Sequence, residues 1–245
     1  MEMDIRSAGF EIAVIIVGVV LVFYAYHYSA HSKKLEQYII GRFPEGTADL
    51  ALFFYRKLAG FIILGVIPGI LYFKFLGASR EKFGITLNHL ESSFMLIAGL
   101  ILVTGIVLFF HHRGNPERST LQLRPPEWNV SMFMLNALGW SMYFIVYEFL
   151  FRGILLFESY EALGFWPAVA INIALYSAVH MVSGKDQTIG ALIFGSIACY
   201  FALSRGTLLI PIFMHLSLSI LSNYYSIRNQ QSIKLAHSKF GKNKR

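Results

Sequence analysis

Long apolar stretches separated by short polar connections recur along the whole chain. An α-helix needs about 20 mostly apolar residues to cross the roughly 30 Å hydrocarbon core of a bilayer. Residues 128–140 offer one further apolar segment, either an eighth span or a short interfacial or re-entrant helix. The pattern predicts an all-α, polytopic membrane bundle with about seven, or eight, transmembrane helices. The seven stretches that meet or nearly meet the length are 9–29, 58–77, 92–111, 138–163, 165–183, 187–204 and 207–226.

The composition agrees with a membrane location. Of 245 residues, 56% are hydrophobic and only 14% are charged, and the mean hydropathy is +0.55. A soluble domain carries about 25% charged residues. The formal net charge of +7 arises mostly in loops and in the C-terminal tail, and no nucleic-acid-binding motif accompanies it. We therefore expect the lipid bilayer, and not nucleic acid, as a partner.

The distribution of lysine and arginine predicts the orientation of the chain. Short cytoplasmic loops retain these residues. With seven spans, one set of loops and the C-terminal tail carry most of them, among them Lys33, Arg56, Arg118 and Lys234. The C-terminus is therefore predicted to be cytoplasmic. The polar tail from Arg228 onward is expected to be disordered.

The fourth predicted span contains two opposite charges, Glu148 and Arg152. They are four residues apart, so they share one face of a helix and can pair or point into the same cavity. Ionisable residues inside a membrane usually face the bundle interior, a water-filled cavity or each other. Either the pair neutralises itself and fixes the helix against its neighbours, or it belongs to a functional site.

Two later spans each contribute a histidine. His180 follows Tyr176 by one helical turn, and His215 is in register with Ser219 and Asn223. At 1.5 Å per residue, Glu148 is about 12 Å from one face and His180 about 22 Å from the other, so in a roughly 30 Å core they reach a similar depth. Their convergence predicts a proton-transfer site or, with His215, a three-ligand catalytic zinc site.

These motifs resemble those of the CPBP (Abi) intramembrane endopeptidases, the family of the type II CAAX prenyl proteases. The first family motif, commonly EExxFRG, corresponds here to YEFLFRG at residues 147–153. The second, an aromatic residue ahead of a histidine, corresponds to Tyr176 and His180. The third, a histidine followed four residues later by Asn or Asp, corresponds to His215 and Ser219. The resemblance extends over about residues 140–225.

The resemblance implies a glutamic-type intramembrane protease that needs no cofactor and cuts a membrane-anchored or membrane-proximal peptide or protein. A glutamate and His180 would activate water, and His215 with a polar partner would stabilise the oxyanion. Arg152 would orient the site. With the hydropathy pattern it predicts three parts: N-terminal transmembrane helices and cytoplasmic loops at 1–127, CPBP-like catalytic core helices at 128–226 and a basic, disordered cytoplasmic tail at 227–245. The expected location is the inner membrane of a bacterium or archaeon.

Two positions depart from the family pattern. Tyr147 replaces the first glutamate, which the family uses as the base, and Ser219 replaces the usual Asn or Asp. Either Glu148 is the base, supported by Tyr147 or a histidine and with Asn223 in place of the missing amide, or hydrolysis has been lost. In the second case the protein would be a membrane scaffold or regulator. A proton-coupled transporter is a further alternative, because buried Glu, Arg and His can form a relay.

Overall fold

The computed structural model describes residues 8–44, 46–87, 90–114, 121–123, 125 and 127–242, with side chains described as far as Gln230. This part of the chain consists of helices and their connections and contains no strand. A short 3₁₀ turn, Glu81–Phe83, lies between the third and fourth helices. The helices are α1 (Ala8–Ala30), α2 (Lys33–Arg42), α3 (Ala48–Phe75), α4 (Leu90–Gly114), α5 (Val130–Leu163), α6 (Phe165–Ser183), α7 (Lys185–Arg205) and α8 (Leu209–Lys242).

Six of the described helices, α1 and α3 to α7, are long and apolar enough to cross a membrane. The protein is therefore a polytopic helical membrane protein, as the hydropathy pattern predicts. The seventh predicted stretch, 207–226, forms the first part of α8. This helix is less apolar than the other six because it carries His215, Asn223 and several serines, of which the first two are buried inside the bundle.

Two expectations about the ends of helices differ from the structure. Residues 128–140 do not form a separate span: α5 begins at Val130, where the side chain of Asn129 accepts a hydrogen bond from the Met132 amide at 2.9 Å, and runs on to Leu163. The backbone of residues 228–242, for which we expected disorder, continues α8. No proline or glycine lies between Arg228 and Phe240 to end the helix.

Helix α5 is the centre of the bundle. It contacts α1, α3, α6, α7 and α8. In its most apolar 18-residue stretch 67% is buried inside the bundle, whereas the corresponding share in the other candidate spans is at most 28%. Two further pairs complete the bundle: α8 also packs along α4, which runs parallel to it, and α6 packs along α7, which runs antiparallel to it. Side chains on α5 therefore meet partners from several helices at once.

A π-helical segment, Phe149–Leu156, follows Glu148 within α5, and all eight of its residues are buried. Such segments are rare and often occur at functional sites. Asn172 of α6 donates a hydrogen bond from Nδ2 to the Phe151 carbonyl oxygen at 2.6 Å. The Cys199 thiol of α7 donates to Asn172 Oδ1 at 3.1 Å. These buried contacts hold the segment that carries Arg152 against α6 and α7.

The 3₁₀ turn is tied to the far end of α5 by charge. Lys82 Nζ lies 3.0 Å from a Glu158 carboxylate oxygen and 3.2 Å from one of Glu161. Partial burial lowers the pKa of Lys82, but the two carboxylates raise it more, so the pKa is above its ordinary value. The amine therefore stays protonated at neutral pH. Both glutamates lie at this end of α5, where they pair with Lys82, and not in the bundle interior.

Gly139 allows α3 to pack closely on α5, and Gly139→Ala tests this packing. The added Cβ would overlap the ring of Phe53, so we expect a loss of about 1–3 kcal/mol in stability from overpacking. Thermal unfolding in detergent measures it. Gly99→Ala on α4, where a Cβ meets nothing within 4 Å, is the matched control. Equal stability of the two variants would contradict the close α3–α5 contact.

Candidate active site

A buried cluster of three ionisable side chains joins α5 to α8. His215 Nδ1 lies 2.5 Å from Glu148 Oε1. Arg152 Nη1 lies 3.3 Å from Oε1 and 3.2 Å from Oε2 of the same carboxylate. The Glu148 and Arg152 side chains are fully buried. A buried guanidinium needs a counter-charge, and the Glu148 carboxylate lies in position to supply it. The two predicted motifs therefore meet, and the Glu148–Arg152 pair has a third partner in His215.

Tyr176 supports the guanidinium from α6. The Arg152 Cζ lies 3.9 Å from the centroid of the Tyr176 ring, a cation–π arrangement. Gly195 of α7 leaves room for both groups, because a Cβ there would lie 3.2 Å from Tyr176 Cδ1 and 3.6 Å from Arg152 Nη2. Tyr176 thus contacts the ionic cluster and also carries the backbone carbonyl that orients His180.

Both histidines have one ring nitrogen engaged. His180 Nδ1 is 2.7 Å from the Tyr176 carbonyl oxygen. A carbonyl only accepts hydrogen bonds, so the proton of His180 is on Nδ1. The Glu148 carboxylate likewise only accepts, which places a proton on His215 Nδ1. In their neutral forms both imidazoles therefore present Nε2 as an acceptor.

A cavity of about 870 Å³ lies beside this cluster. Tyr147, His180 and His215 line its wall, whereas Glu148 and Arg152 do not. The Tyr147 ring centroid lies 6.3 Å from that of His180 and 5.9 Å from that of His215. Adjacent helical residues point about 100° apart. For that reason Tyr147 faces the cavity and Glu148 lies behind it, so a cavity-facing Glu148, as expected of a base acting directly on water, is not found.

The polar partners on α8 occupy different depths. Ser219 and Asn223 both line the cavity. At 1.5 Å per residue, Ser219 is about 6 Å and Asn223 about 12 Å along the helix from His215. Ser219 can therefore share a ligand atom with His215, whereas Asn223 would contact another part of a ligand. Asn223 is 3% exposed, and its Nδ2 has no hydrogen-bond partner among the described residues.

The zinc alternative has no matching geometry. Within the described residues, no group of three or more His, Cys, Asp or Glu side chains is arranged to hold a metal ion. His180 uses Nδ1 for a backbone carbonyl, His215 uses Nδ1 for Glu148, and the Tyr147 ring contacts both imidazoles. Glu148 lies behind the cavity wall that the two histidines line, so the three side chains do not face one common point.

Two adjacent residues of the cavity wall lie outside the spans that the sequence predicts. The predicted span begins at residue 58 and leaves Arg56 and Lys57 outside it, yet α3 begins at Ala48 and both residues line the cavity. The apolar run ALFF, which precedes them, is the sequence feature that could have indicated an earlier start for this helix. No Asp or Glu lies among the described residues of the cavity wall. The wall combines bases and aromatic rings without a carboxylate.

Comparison with known proteins identifies the family of this segment. Residues 126–221 match the sequence model of the family described as type II CAAX prenyl endopeptidase Rce1-like. The match contains α5, α6, α7 and the part of α8 with His215 and Ser219. No curated protein and no solved structure matches the chain. Residues 126–221 of this integral membrane protein thus form a domain of the Rce1-like type II CAAX prenyl endopeptidase (CPBP) family.

Proposed function

We propose that this domain hydrolyses a peptide bond in a membrane-anchored or membrane-proximal protein, with His215 as the base and Glu148 as the residue that orients it. The 2.5 Å contact between Glu148 Oε1 and His215 Nδ1 carries the proposal. A carboxylate that holds one nitrogen of an imidazole fixes its tautomer and stabilises the imidazolium form. The charge of Glu148 can thus act on the cavity although its side chain does not reach it.

The chemical step follows from the positions of the protons. His215 Nε2 takes a proton from water, and the oxygen attacks the scissile carbonyl carbon. Glu148 stabilises the resulting imidazolium. When the tetrahedral intermediate collapses, the imidazolium returns the proton to the leaving nitrogen and the C–N bond breaks. One water is consumed, and a carboxylic acid and an amine are released.

Other residues of the wall would support this step. His180 Nε2 can accept the second proton of the same water in a hydrogen bond. The Tyr147 hydroxyl and the Ser219 hydroxyl can donate to the oxyanion that develops on the carbonyl. These roles differ from those that the family motifs suggest. There, a glutamate and His180 activate water, and His215 stabilises the oxyanion. The exchange of roles would compensate for the loss of the first glutamate at Tyr147.

The surroundings of the cavity support a substrate that arrives through the bilayer. Val103 and Val107 of α4, and Ile193 and Ile197 of α7, line the cavity and are also exposed on the surface of the bundle. In a membrane such apolar side chains face lipid, so a hydrophobic segment can enter between α4 and α7. The charge of the loops supports a cytoplasmic C-terminus, and we propose a bacterial or archaeal inner membrane as the location.

The test is cleavage of a library of membrane-anchored peptides by the full chain in lipid nanodiscs, with mass spectrometry of new termini. We expect the wild type to cut, and His215→Ala to cut about 10²–10⁴-fold more slowly, because it lacks the base. His111→Ala, an exposed histidine on α4 outside the cavity, is the control and should retain activity. A wild type that produces no new termini across the library would contradict the proposal.

Binding without hydrolysis is the second candidate function. It is favoured by the wall itself, which has Tyr147 where the family has a glutamate and no carboxylate among its described residues. A silent domain would retain library peptides equally in the wild type and in His215→Ala, and neither protein would release a product. Any product that depends on His215 would exclude this candidate.

A further inference from the structure

One end of the cavity is basic. His27 and His31 from the end of α1, and Arg56 and Lys57 from the first half of α3, line it there. We call these four residues the basic end. The chain direction places this end where α1 finishes and where α3 and α7 begin, near one membrane face. Nothing in the proposed hydrolysis requires this charge.

Lys57 is the most enclosed of the four. It is 2% exposed, and its Nζ lies 3.1 Å from the Trp140 ring centroid and 4.9 Å from that of Tyr143. Its Nζ donates to the neutral Gln122 Oε1 at 3.0 Å. In the described part of the chain no carboxylate pairs with it. By contrast, the adjacent Arg56 is paired with Glu36 at 3.3 Å.

Two further donors on the same wall lack acceptors. Trp140 Nε1 and Asn223 Nδ2 are buried and have no hydrogen-bond partner among the described residues. The Phe144 ring stacks on His215 with centroids 3.8 Å apart. Trp140 lies one turn before Phe144 on α5, and Asn223 lies two turns after His215 on α8. Because α5 and α8 run antiparallel, both donors are nearer the basic end than the Phe144–His215 contact is. A buried donor without an acceptor is costly.

The missing partner must therefore supply negative charge and several acceptor oxygens, as a phosphate group does. Beyond these donors the wall is apolar and aromatic, including Phe144 and Phe194, and continues to the exposed Val103 and Ile193. A ligand that satisfies both parts has an anionic head and an apolar chain. We propose that the basic end binds the phosphate headgroup of an anionic membrane lipid, with an acyl chain along the apolar wall toward His215.

Binding is measured on the full chain purified in detergent, by native mass spectrometry during titration with phosphatidic acid. We expect phosphatidic acid to bind about tenfold more tightly than phosphatidylcholine. The phosphate of phosphatidylcholine is compensated by a cation in the same headgroup, whereas the phosphate of phosphatidic acid is not. Inorganic phosphate at the same concentration should not displace it, because it has no apolar chain. Equal binding of the two lipids, or displacement by inorganic phosphate, would overturn the proposal.

Variants locate the site on the protein. Lys57→Met should weaken phosphatidic acid binding about tenfold, and Lys57→Arg should largely restore it. Trp140→Phe keeps the ring, removes the Nε1 donor and should also weaken binding, which covers the case that Lys57→Met fails to fold. Lys185→Met removes an exposed lysine at the same membrane face, outside the cavity, and should change nothing.

Two results would contradict this assignment. Wild-type affinity in both Lys57→Met and Trp140→Phe would show that the lipid binds elsewhere. Displacement of phosphatidic acid by a peptide with a free C-terminal carboxylate, but not by the same peptide amidated, would assign the basic end to a peptide. Neither measurement depends on cleavage, so the lipid site and the proposed hydrolysis can fail separately.

Discussion

Replacing Arg152 by methionine is expected to lower the free energy of unfolding by about 3–5 kcal/mol. Arg152 and Glu148 are both fully buried and lie 3.2 Å apart. Among the described residues, the variant leaves the buried Glu148 carboxylate with His215 as its one hydrogen-bond donor. The cost arises from the uncompensated buried charge and not from lost volume, since methionine fills most of the space. Thermal or denaturant-induced unfolding in detergent measures the change.

A double variant separates charge from packing. In Glu148→Gln with Arg152→Met both charges are absent, so most of the lost stability should return. Arg205→Met, which removes an exposed arginine at the end of α7, should unfold like the wild type. If Arg152→Met is as stable as Arg205→Met, the buried ion pair does not have the role that the structure indicates.

Replacing Glu148 by glutamine is expected to reduce cleavage about 10²–10⁴-fold if the domain hydrolyses peptides as proposed. The neutral amide can still accept a hydrogen bond from His215 Nδ1, but it no longer stabilises the imidazolium that forms when His215 takes the proton from water. The rate of appearance of new peptide termini under single-turnover conditions measures the effect.

The control must distinguish this loss from unfolding, because Glu148→Gln also leaves Arg152 unpaired. Glu148→Gln with Arg152→Met is expected to be folded and still inactive. Glu161→Gln, the same change on the same helix but on a residue that pairs with Lys82 outside the cavity, should cleave normally. Wild-type cleavage by the double variant would mean that Glu148 only stabilises the fold.

Local periodicity in the sequence was sufficient to predict the membrane bundle and the residues that share a helix face. The thickness of a bilayer sets the length of a span, so apolar stretches identify helices without knowledge of their neighbours. A spacing of four residues likewise places Glu148 beside Arg152 and His180 beside Tyr176. The 128–140 segment shows the limit of this prediction. Hydropathy does not indicate whether a helix is interrupted between two apolar segments, so the sequence left open that this segment belongs to α5.

The tertiary structure alone decided which of these side chains meet and which way they face. Glu148 and His215 are 67 residues apart in sequence yet in contact, because α5 is central and packs against α8. The rotation of α5 about its own axis also places Tyr147, and not Glu148, on the cavity wall. Lys57 and Trp140 come together through the packing of α3 on α5. Such contacts between distant segments depend on how the helices rotate and pack, which no short sequence pattern specifies.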